Sequence, residues 1–466
     1  MKQRWVWAVA LIFGARYFAA AWFEPQHDGD LGWQQWLGQY ILAHGALPKS
    51  LGPEAFAAQG SPWVPQEWAL SLLVAHVLGT PWFGVLAFAM ALIAASVIVI
   101  TGAAARRMGA SELAIAVCAT AVAFSMVQSF GVRAQVPGWL MLALFMLVLR
   151  TLPEQRQWWL VPLTVLWANL HASVMLAPVL LGIWTAGVAL EERAWNARTR
   201  RYAVLTVAAA VALCLTPLGV HLPAYALTLS TSPIRSLISE WQPTTIESIA
   251  FAAGLLPFIL LMCLAGFARP WRWTEVLVFT AATVLSLTAG RNIPVASIII
   301  APLAARRLTD ILPERFDIAP MKSALERLGF AALGAGGSIL VAVLLIQMPH
   351  FTETAVPVRA IAVAAAVPGT HRIYCEDFAW CSWALAHPNL REFIDGRCDP
   401  FPAHIWKDYE TVYKVHPRWN RILNRERIDV VLAARTRPLA EALRLSGAWR
   451  QFYFDSTYAL FIRRAG

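Results

Sequence analysis

The sequence predicts a mostly α-helical fold: a polytopic membrane bundle of about eleven spans with a small external α/β domain at its C-terminal end. Three observations lead there. Hydrophobic residues make up 58% of the 466-residue chain and charged residues only 14%, about half of what a soluble surface carries. Apolar runs of helical length follow one another with short connections as far as residue 348. From residue 351 the runs shorten and charge returns, with 16 Lys/Arg and 12 Asp/Glu by residue 466. The 22 Trp suit rings lying at two membrane–water interfaces. A net charge of +10 suggests nucleic acid, but Lys and Arg sit in short clusters between apolar runs. There they set topology and meet lipid headgroups, so membrane lipids are expected partners and nucleic acid is not.

Residues 1–22 have a basic start and an apolar run, read as the first span. A cleaved signal peptide with Ala19-Ala20-Ala21 at its end is the rival reading, and Arg16 inside the run speaks against it. Residues 23–65 are too polar to span and form an external loop with one amphipathic stretch, Leu31 to Leu42, bounded by Gly45 and Pro48. Residues 66–79 are apolar but give only about 21 Å of helix, against roughly 30 Å of hydrocarbon, so a half-helix or interfacial helix packed in the bundle is expected. Further spans are read near 82–105, 111–130, 135–150, 157–170, 172–190, 202–219, 247–268, 274–290, 292–305 and 328–348. With the N-terminus inside, seventeen Lys and Arg fall on one side. The opposite short loops keep only Lys49, Arg133, Arg235 and Arg291. This positive-inside asymmetry puts the C-terminus outside. The expected domains are 1–350, membrane-embedded with external loop 23–65, and 351–466, external.

In the C-terminal segment, HRIYCED, IDVVLAA and RQFYFDSTYALFIRR read as strands and PLAEALRLSG as a helix. Asp395-Gly396-Arg397 reads as a tight turn with a structural ion pair. Cys375, Cys381 and Cys398 lie in a compartment that permits disulfides, with Cys375–Cys381 and Cys381–Cys398 the candidate pairs. Cys118, Cys214 and Cys263 fall in spans and read as core residues.

Function in a membrane protein shows through polar groups at the edge of the apolar zone, where each is costly. Five such groups lie on the external side. His27-Asp28-Gly29-Asp30 places two carboxylates just after the first span, where one can act as base or ligand while the other orients it. Glu67 opens the short apolar helix, where the helix dipole alone would also favour a carboxylate. Asn169 and His171 fall between two spans and suit a phosphate or sugar hydroxyl, or a polar helix joint. Arg235, Glu240 and Trp241 combine a cation, a carboxylate and an aromatic face, as carbohydrate or phosphate recognition requires. Arg133 and Arg291-Asn292 break the positive-inside pattern, and a phosphate-bearing ligand would supply the missing anion. Snorkelling to headgroups or surface pairing would account for the same cations. No GxGxxG, GxxxxGK[ST], HExxH or GxSxG occurs, so nucleotide hydrolysis and nicotinamide chemistry have no support.

These residues, in this order, resemble the GT-C class of polytopic glycosyltransferases. More narrowly, they are similar to poorly characterised bacterial membrane proteins in or near it. The resemblance rests on Asp28-Gly29-Asp30-Leu31-Gly32-Trp33, Gly38, Gly45 to Pro48, Pro62-Trp63 to Glu67-Trp68, Arg133-Ala134-Gln135, Trp167 to His171, Glu240-Trp241, Arg291-Asn292 and Phe393 to Arg397. It implies transfer of a sugar from a polyprenyl-phosphate donor to a glycan, lipid or protein acceptor. The reaction would be inverting, at the outer face of a bacterial cytoplasmic membrane. Asp30 or Asp28 would be the base, and Arg133, Arg235 or Arg291 would hold the departing phosphate. His27, Glu67, Asn169, His171, Glu240, Trp241 and Asn292 would line the substrate. Where that group carries His after the Trp and an acid after the Pro, this chain has Gln34 and Lys49-Ser50. No metal and no other cofactor is therefore assigned. The alternative is a non-catalytic assembly or transport protein for lipid-linked glycans on the same scaffold.

Overall fold

The computed structural model describes residues 4–23, 29–230, 232–236, 238–268, 270–312 and 356–464. The chain divides into two compact units. The first holds residues 1–22, 84–228 and 238–348, and the second holds 23–83, 229–237 and 349–466. The loop after the first helix therefore groups with the C-terminal segment.

The first unit is helical: α1 (Arg4–Phe23), α4 (Phe83–Arg107), α5 (Glu112–Ser125), α6 (Gln135–Thr151), α7 (Leu160–Ala168), α8 (Leu176–Glu192), α9 (Ala197–Ala212), α10 (His221–Ser230), α11 (Leu256–Ala268), α12 (Trp273–Thr288) and α13 (Ile293–Ile311). Ser111 and Asn196 cap α5 and α9 by accepting from the Ala114 and Thr199 amides, which the first turn leaves without a partner. At the centre of the unit α13 packs against α5, α6, α11 and α12, with Ile293–Ala305 buried throughout.

Among the described residues three helices are long and apolar enough to cross a membrane: Trp5–Trp22, Phe83–Arg107 and Ala172–Glu192. The other runs read as spans are shorter or interrupted. A 3-10 turn at Val127–Ser129 follows α5, another at Glu154–Trp159 precedes α7, and a π-helical turn at Ala250–Leu255 precedes α11. The start of α9 carries Arg198, Arg200 and Arg201, and the end of α13 carries Arg306, Arg307 and Asp310, which lowers the hydropathy of both. The expected span 328–348 lies outside the described residues.

In the second unit α2 (Leu31–His44) is the amphipathic stretch expected from the sequence, ended by Gly45 in the left-handed conformation. It packs on α3 (Trp68–Val77), the short apolar helix. The half-helix or interfacial helix expected here groups with the second unit. The reason is close approach: a Cβ on Gly38 would stand 2.1 Å from the Ser71 carbonyl oxygen.

The C-terminal segment folds as α14 (Val358–Ala365), β1 (His371–Cys375), α15 (Phe378–Ala384), β2 (Leu390–Glu392), α16 (Ala403–Tyr413), α17 (Trp419–Arg425), β3 (Val430–Ala434), α18 (Pro438–Leu445), β4 (Trp449–Phe454) and β5 (Tyr458–Arg463). The sheet order is β2-β1-β3-β5-β4. β1 pairs parallel with β2 and β3, and β5 pairs antiparallel with β3 and β4. Side chains alternate across it, as strands require. Ile373 and Cys375 face a core with Ile361 and Ala364 of α14. Tyr374 faces the other way and donates its hydroxyl to the Tyr409 carbonyl of α16 at 3.0 Å. Helices cover both faces, giving three layers. Cys375 and Cys381 form a disulfide with Cα atoms 5.7 Å apart, so of the two candidate pairs it is Cys375–Cys381 that forms.

Candidate functional site

The first unit brings residues of two separately predicted groups into one cluster. Arg133 lies just before α6, Glu240 and Trp241 in a 3-10 turn (Ser239–Trp241), and Arg291 in another (Gly290–Asn292). The two turns are tied by the Gly290 amide, which donates to the Gln242 carbonyl at 3.0 Å. Nη1 of Arg133 stands 3.9 Å from Oε1 of Glu240. The Arg291 guanidinium lies 4.6 Å over the Trp241 ring, a cation–π geometry that orients the cation while leaving its N–H edges for an acceptor. The charge of Arg291 also reaches His171.

His171 opens the 3-10 turn Ala172–Met175 that leads into α8. Its Nδ1 accepts from the Ser173 amide at 3.1 Å and lies 2.8 Å from the Ser173 hydroxyl. An Nδ1 that accepts an amide leaves the hydrogen of the neutral ring on Nε2. Ser173 is in turn held by the Trp167 indole, which donates to Oγ at 3.0 Å. Gly138 makes room for this group, since a Cβ there would stand 2.7 Å from the Ser173 hydroxyl. The sequence reading missed Ser173, although it stands two residues after His171. Asn169 and Asn292 have structural partners. The Asn169 side chain donates to the Val165 and Leu215 carbonyls, and that of Asn292 to the Leu285 carbonyl at 3.1 Å.

The remaining candidates fall in the second unit. Asp30 stands at the N-cap of α2 and accepts from the Trp33 indole at 3.0 Å, which orients the carboxylate. Glu67 stands at the N-cap position of α3, and its carboxylate accepts from two side-chain amides, Gln34 at 2.9 Å and Gln66 at 2.8 Å. Gln34, where the resemblance led to an expected His, is thus buried as a donor to Glu67. Arg235 lies in the 3-10 turn Pro233–Ser236, packed by α16 and grouped apart from Glu240 and Trp241. His27 and Asp28 lie outside the described residues. Among the described residues no three His, Cys, Asp or Glu side chains are grouped to hold a metal.

The most deeply buried charges of this unit centre on Arg397. Its guanidinium bonds both oxygens of Asp395, Oε1 of Glu392 at 3.0 Å and Oε1 of Glu54 at 3.0 Å. The rings of Trp36 and Trp63 lie 5.0 and 5.1 Å from it. Burial by itself would lower the Arg397 pKa, but the three carboxylates outweigh it and hold the group charged. Burial, reinforced by Asp395, pushes Glu392 well above the usual carboxylate range. The predicted Asp395–Arg397 pair is thus one edge of a network reaching into the loop after α1.

Two glycines of the motif that carried the resemblance serve packing. A Cβ on Gly32 would stand 2.7 Å from the Ser382 carbonyl, and one on Gly29 2.6 Å from the Ala379 methyl, both on α15. The Ser382 hydroxyl accepts from the Gly396 amide at 2.9 Å.

No protein-family model matches this sequence, and no curated protein matches it. Solved structures do. The archaeal oligosaccharyltransferase AglB from Archaeoglobus fulgidus, in complex with an inhibitory peptide and a dolichol-phosphate, superposes with a TM-score of 0.61 at 10% identity, over 93% of this chain and 70% of that one. ArnT from Cupriavidus metallidurans, bound to undecaprenyl phosphate, gives 0.55 at 17% identity over 98% of this chain and 97% of that one. The arabinofuranosyltransferase AftD from Mycobacteria gives 0.55 at 14% identity, with this chain spanning 42% of its length. The fold is that of GT-C glycosyltransferases.

Proposed function

We propose that this protein is a membrane glycosyltransferase that moves a sugar from a polyprenyl-phosphate donor to an acceptor hydroxyl or amide, with inversion, at the outer face of the cytoplasmic membrane. The observation that carries the reading is the cationic cluster of the first unit, with Arg291 backed by Trp241, Arg133 paired with Glu240, and His171 within reach of the Arg291 charge. Two guanidiniums in apolar surroundings suit a phosphate that gains charge as the sugar departs. The fold neighbours include one bound to dolichol-phosphate and one bound to undecaprenyl phosphate.

Asp30 is the proposed base, held by the Trp33 indole, and Asp28 is its proposed companion. An acceptor hydroxyl attacks poorly unless a carboxylate takes its proton in the transition state. His171, Glu240, Trp241 and Arg235 are proposed to contact donor or acceptor. Glu67, fixed by two amides, is proposed to shape the loop around Asp30.

Purified protein in lipid is offered a panel of polyprenyl-phosphate sugars and acceptors, wild type against Asp30→Asn and Arg291→Gln. Consumption of one donor by wild type, with both variants impaired, supports the reading. Wild-type rates in Asp28→Asn, Asp30→Asn and their combination remove the base assignment. Consumption of no donor removes the enzyme and leaves the assembly or transport protein on the same scaffold.

A further inference from the structure

A second group of arginines lies at the end of the first unit where α6 ends and α9 begins. The two connections meet there: Nε of Arg198 donates to Oε1 of Glu154 at 2.8 Å, and Nη1 to Oε1 of Glu192 at 2.9 Å. Arg150 stands four residues before Glu154 and Arg201 three after Arg198. Both side chains carry Nε and Nη2 atoms shielded from solvent by the protein, with no hydrogen-bond partner among the described residues. Buried donors of this kind are rare, because leaving each unmade costs the full desolvation of the group.

Among the described residues the nearby carboxylates are committed elsewhere. Glu154 and Glu192 bond Arg198. Glu191 accepts from the Thr274 amide and hydroxyl at 2.8 and 2.7 Å. Glu275, whose charge reaches Arg150, bonds Arg307 at 2.5 Å. The Arg150 guanidinium is held 5.7 Å over the Trp184 ring, whose other neighbour is Tyr202 at 6.4 Å. A separate feature sets the depth. Trp158, Trp159 and Trp195, on the same two connections, are 46%, 66% and 64% exposed. Exposed indoles beside apolar helices mark the level of lipid headgroups.

From these observations we infer that Arg150 and Arg201 bind the phosphate of a membrane lipid. A phosphate diester offers several acceptor oxygens to guanidinium edges, matches their charge and lies at indole depth. The site lies outside the proposed transfer machinery and does not depend on it.

Full-length protein in detergent micelles is titrated with phosphatidylglycerol, phosphatidylcholine or glycerol phosphate and read by native mass spectrometry. Wild type is expected to retain phosphatidylglycerol, at least tenfold more tightly than Arg150→Gln or Arg201→Gln, and the double variant to lose it. Equal retention by the double variant overturns the site. Displacement of the lipid by equimolar glycerol phosphate overturns the lipid source in favour of a free phosphate. Equal retention of phosphatidylcholine overturns the preference for an anionic lipid. Should the glutamine variants fail to fold, Arg150→Lys and Arg201→Lys keep the charge without the planar fork. Weakened retention in them then supports the site, and unchanged retention overturns it.

Discussion

Arg397 donates to Glu54 at 3.0 Å across 343 residues of sequence. The bond joins the turn after β2 to the loop between α2 and α3. Removing the cation leaves the Asp395 carboxylate fully buried and uncompensated and Glu392 without its donor. Arg397→Met is therefore expected to destabilise the unit by about 3–5 kcal/mol, and Glu54→Gln by about 1–2 kcal/mol. Thermal unfolding of the two variants measures the order, and equal small losses would contradict it.

The pH dependence follows from Glu392. Burial, then Asp395, raises its folded pKa, so the folded state holds this proton more tightly than the unfolded chain does. The stability it contributes is fully present below the ordinary glutamate range and is lost as pH rises through the raised folded value. Glu392→Gln removes that ionisation. The stability difference, variant minus wild type, should grow more positive as pH rises from the ordinary glutamate range towards the raised folded value. A flat difference would place the ionisation elsewhere.

The disulfide closes a short loop from β1 to α15, with six residues of separation. Cys375→Ser with Cys381→Ser should cost about 2 kcal/mol by the loop-closure argument. The loss should also loosen Ser382, which receives the Gly396 amide. Hydrogen exchange at Gly396 reads the second effect, and unchanged protection there would separate the disulfide from the turn.

Gly32 and Gly38 allow α2 to approach α15 and α3 with backbone at 2.7 and 2.1 Å from a built Cβ. Gly32→Ala and Gly38→Ala are each expected to cost about 1–3 kcal/mol, as overpacking does. Gly45→Ala should act by another route, since it strains a left-handed cap that has space around it. Thermal unfolding with limited proteolysis after α2 distinguishes the two routes.

Catalytic variants should divide by type. Asp30→Asn keeps shape and loses basicity, so transfer should fall by about 10²–10⁴-fold while donor binding persists. Arg291→Gln or Arg133→Gln should weaken donor binding and slow sugar departure together. Turnover and donor affinity are measured side by side. Loss of donor binding in Asp30→Asn would reverse the assignment.

Much of the C-terminal sheet was legible in the sequence because strand composition is local. HRIYC, VVLAA and the two halves of the last hairpin are short runs rich in apolar and aromatic residues, and β3 and β5 are buried along most of their length. β2 was not, because Leu390–Glu392 is too short to show a period. The candidate residues were found as costly polar groups at span ends. Ser173 and Ser382 were missed because serine carries no such cost, and their roles come from His171 and Gly396 across space.

By itself the sequence determined the helical membrane class, the C-terminal α/β segment, the helix over 31–44 and the polar groups worth examining. Each rests on composition or on period, which neighbouring residues settle. Only the tertiary structure decided that α3 packs on α2, since that depends on Gly38 meeting the Ser71 carbonyl. It also decided that Cys375 pairs with Cys381, that Gln34 serves Glu67, and that Arg133, Glu240, Trp241 and Arg291 gather in one place. Those outcomes are close contacts between residues far apart in sequence or open to more than one partner. The local chain costs nothing to satisfy either way, and only the packed fold selects among them.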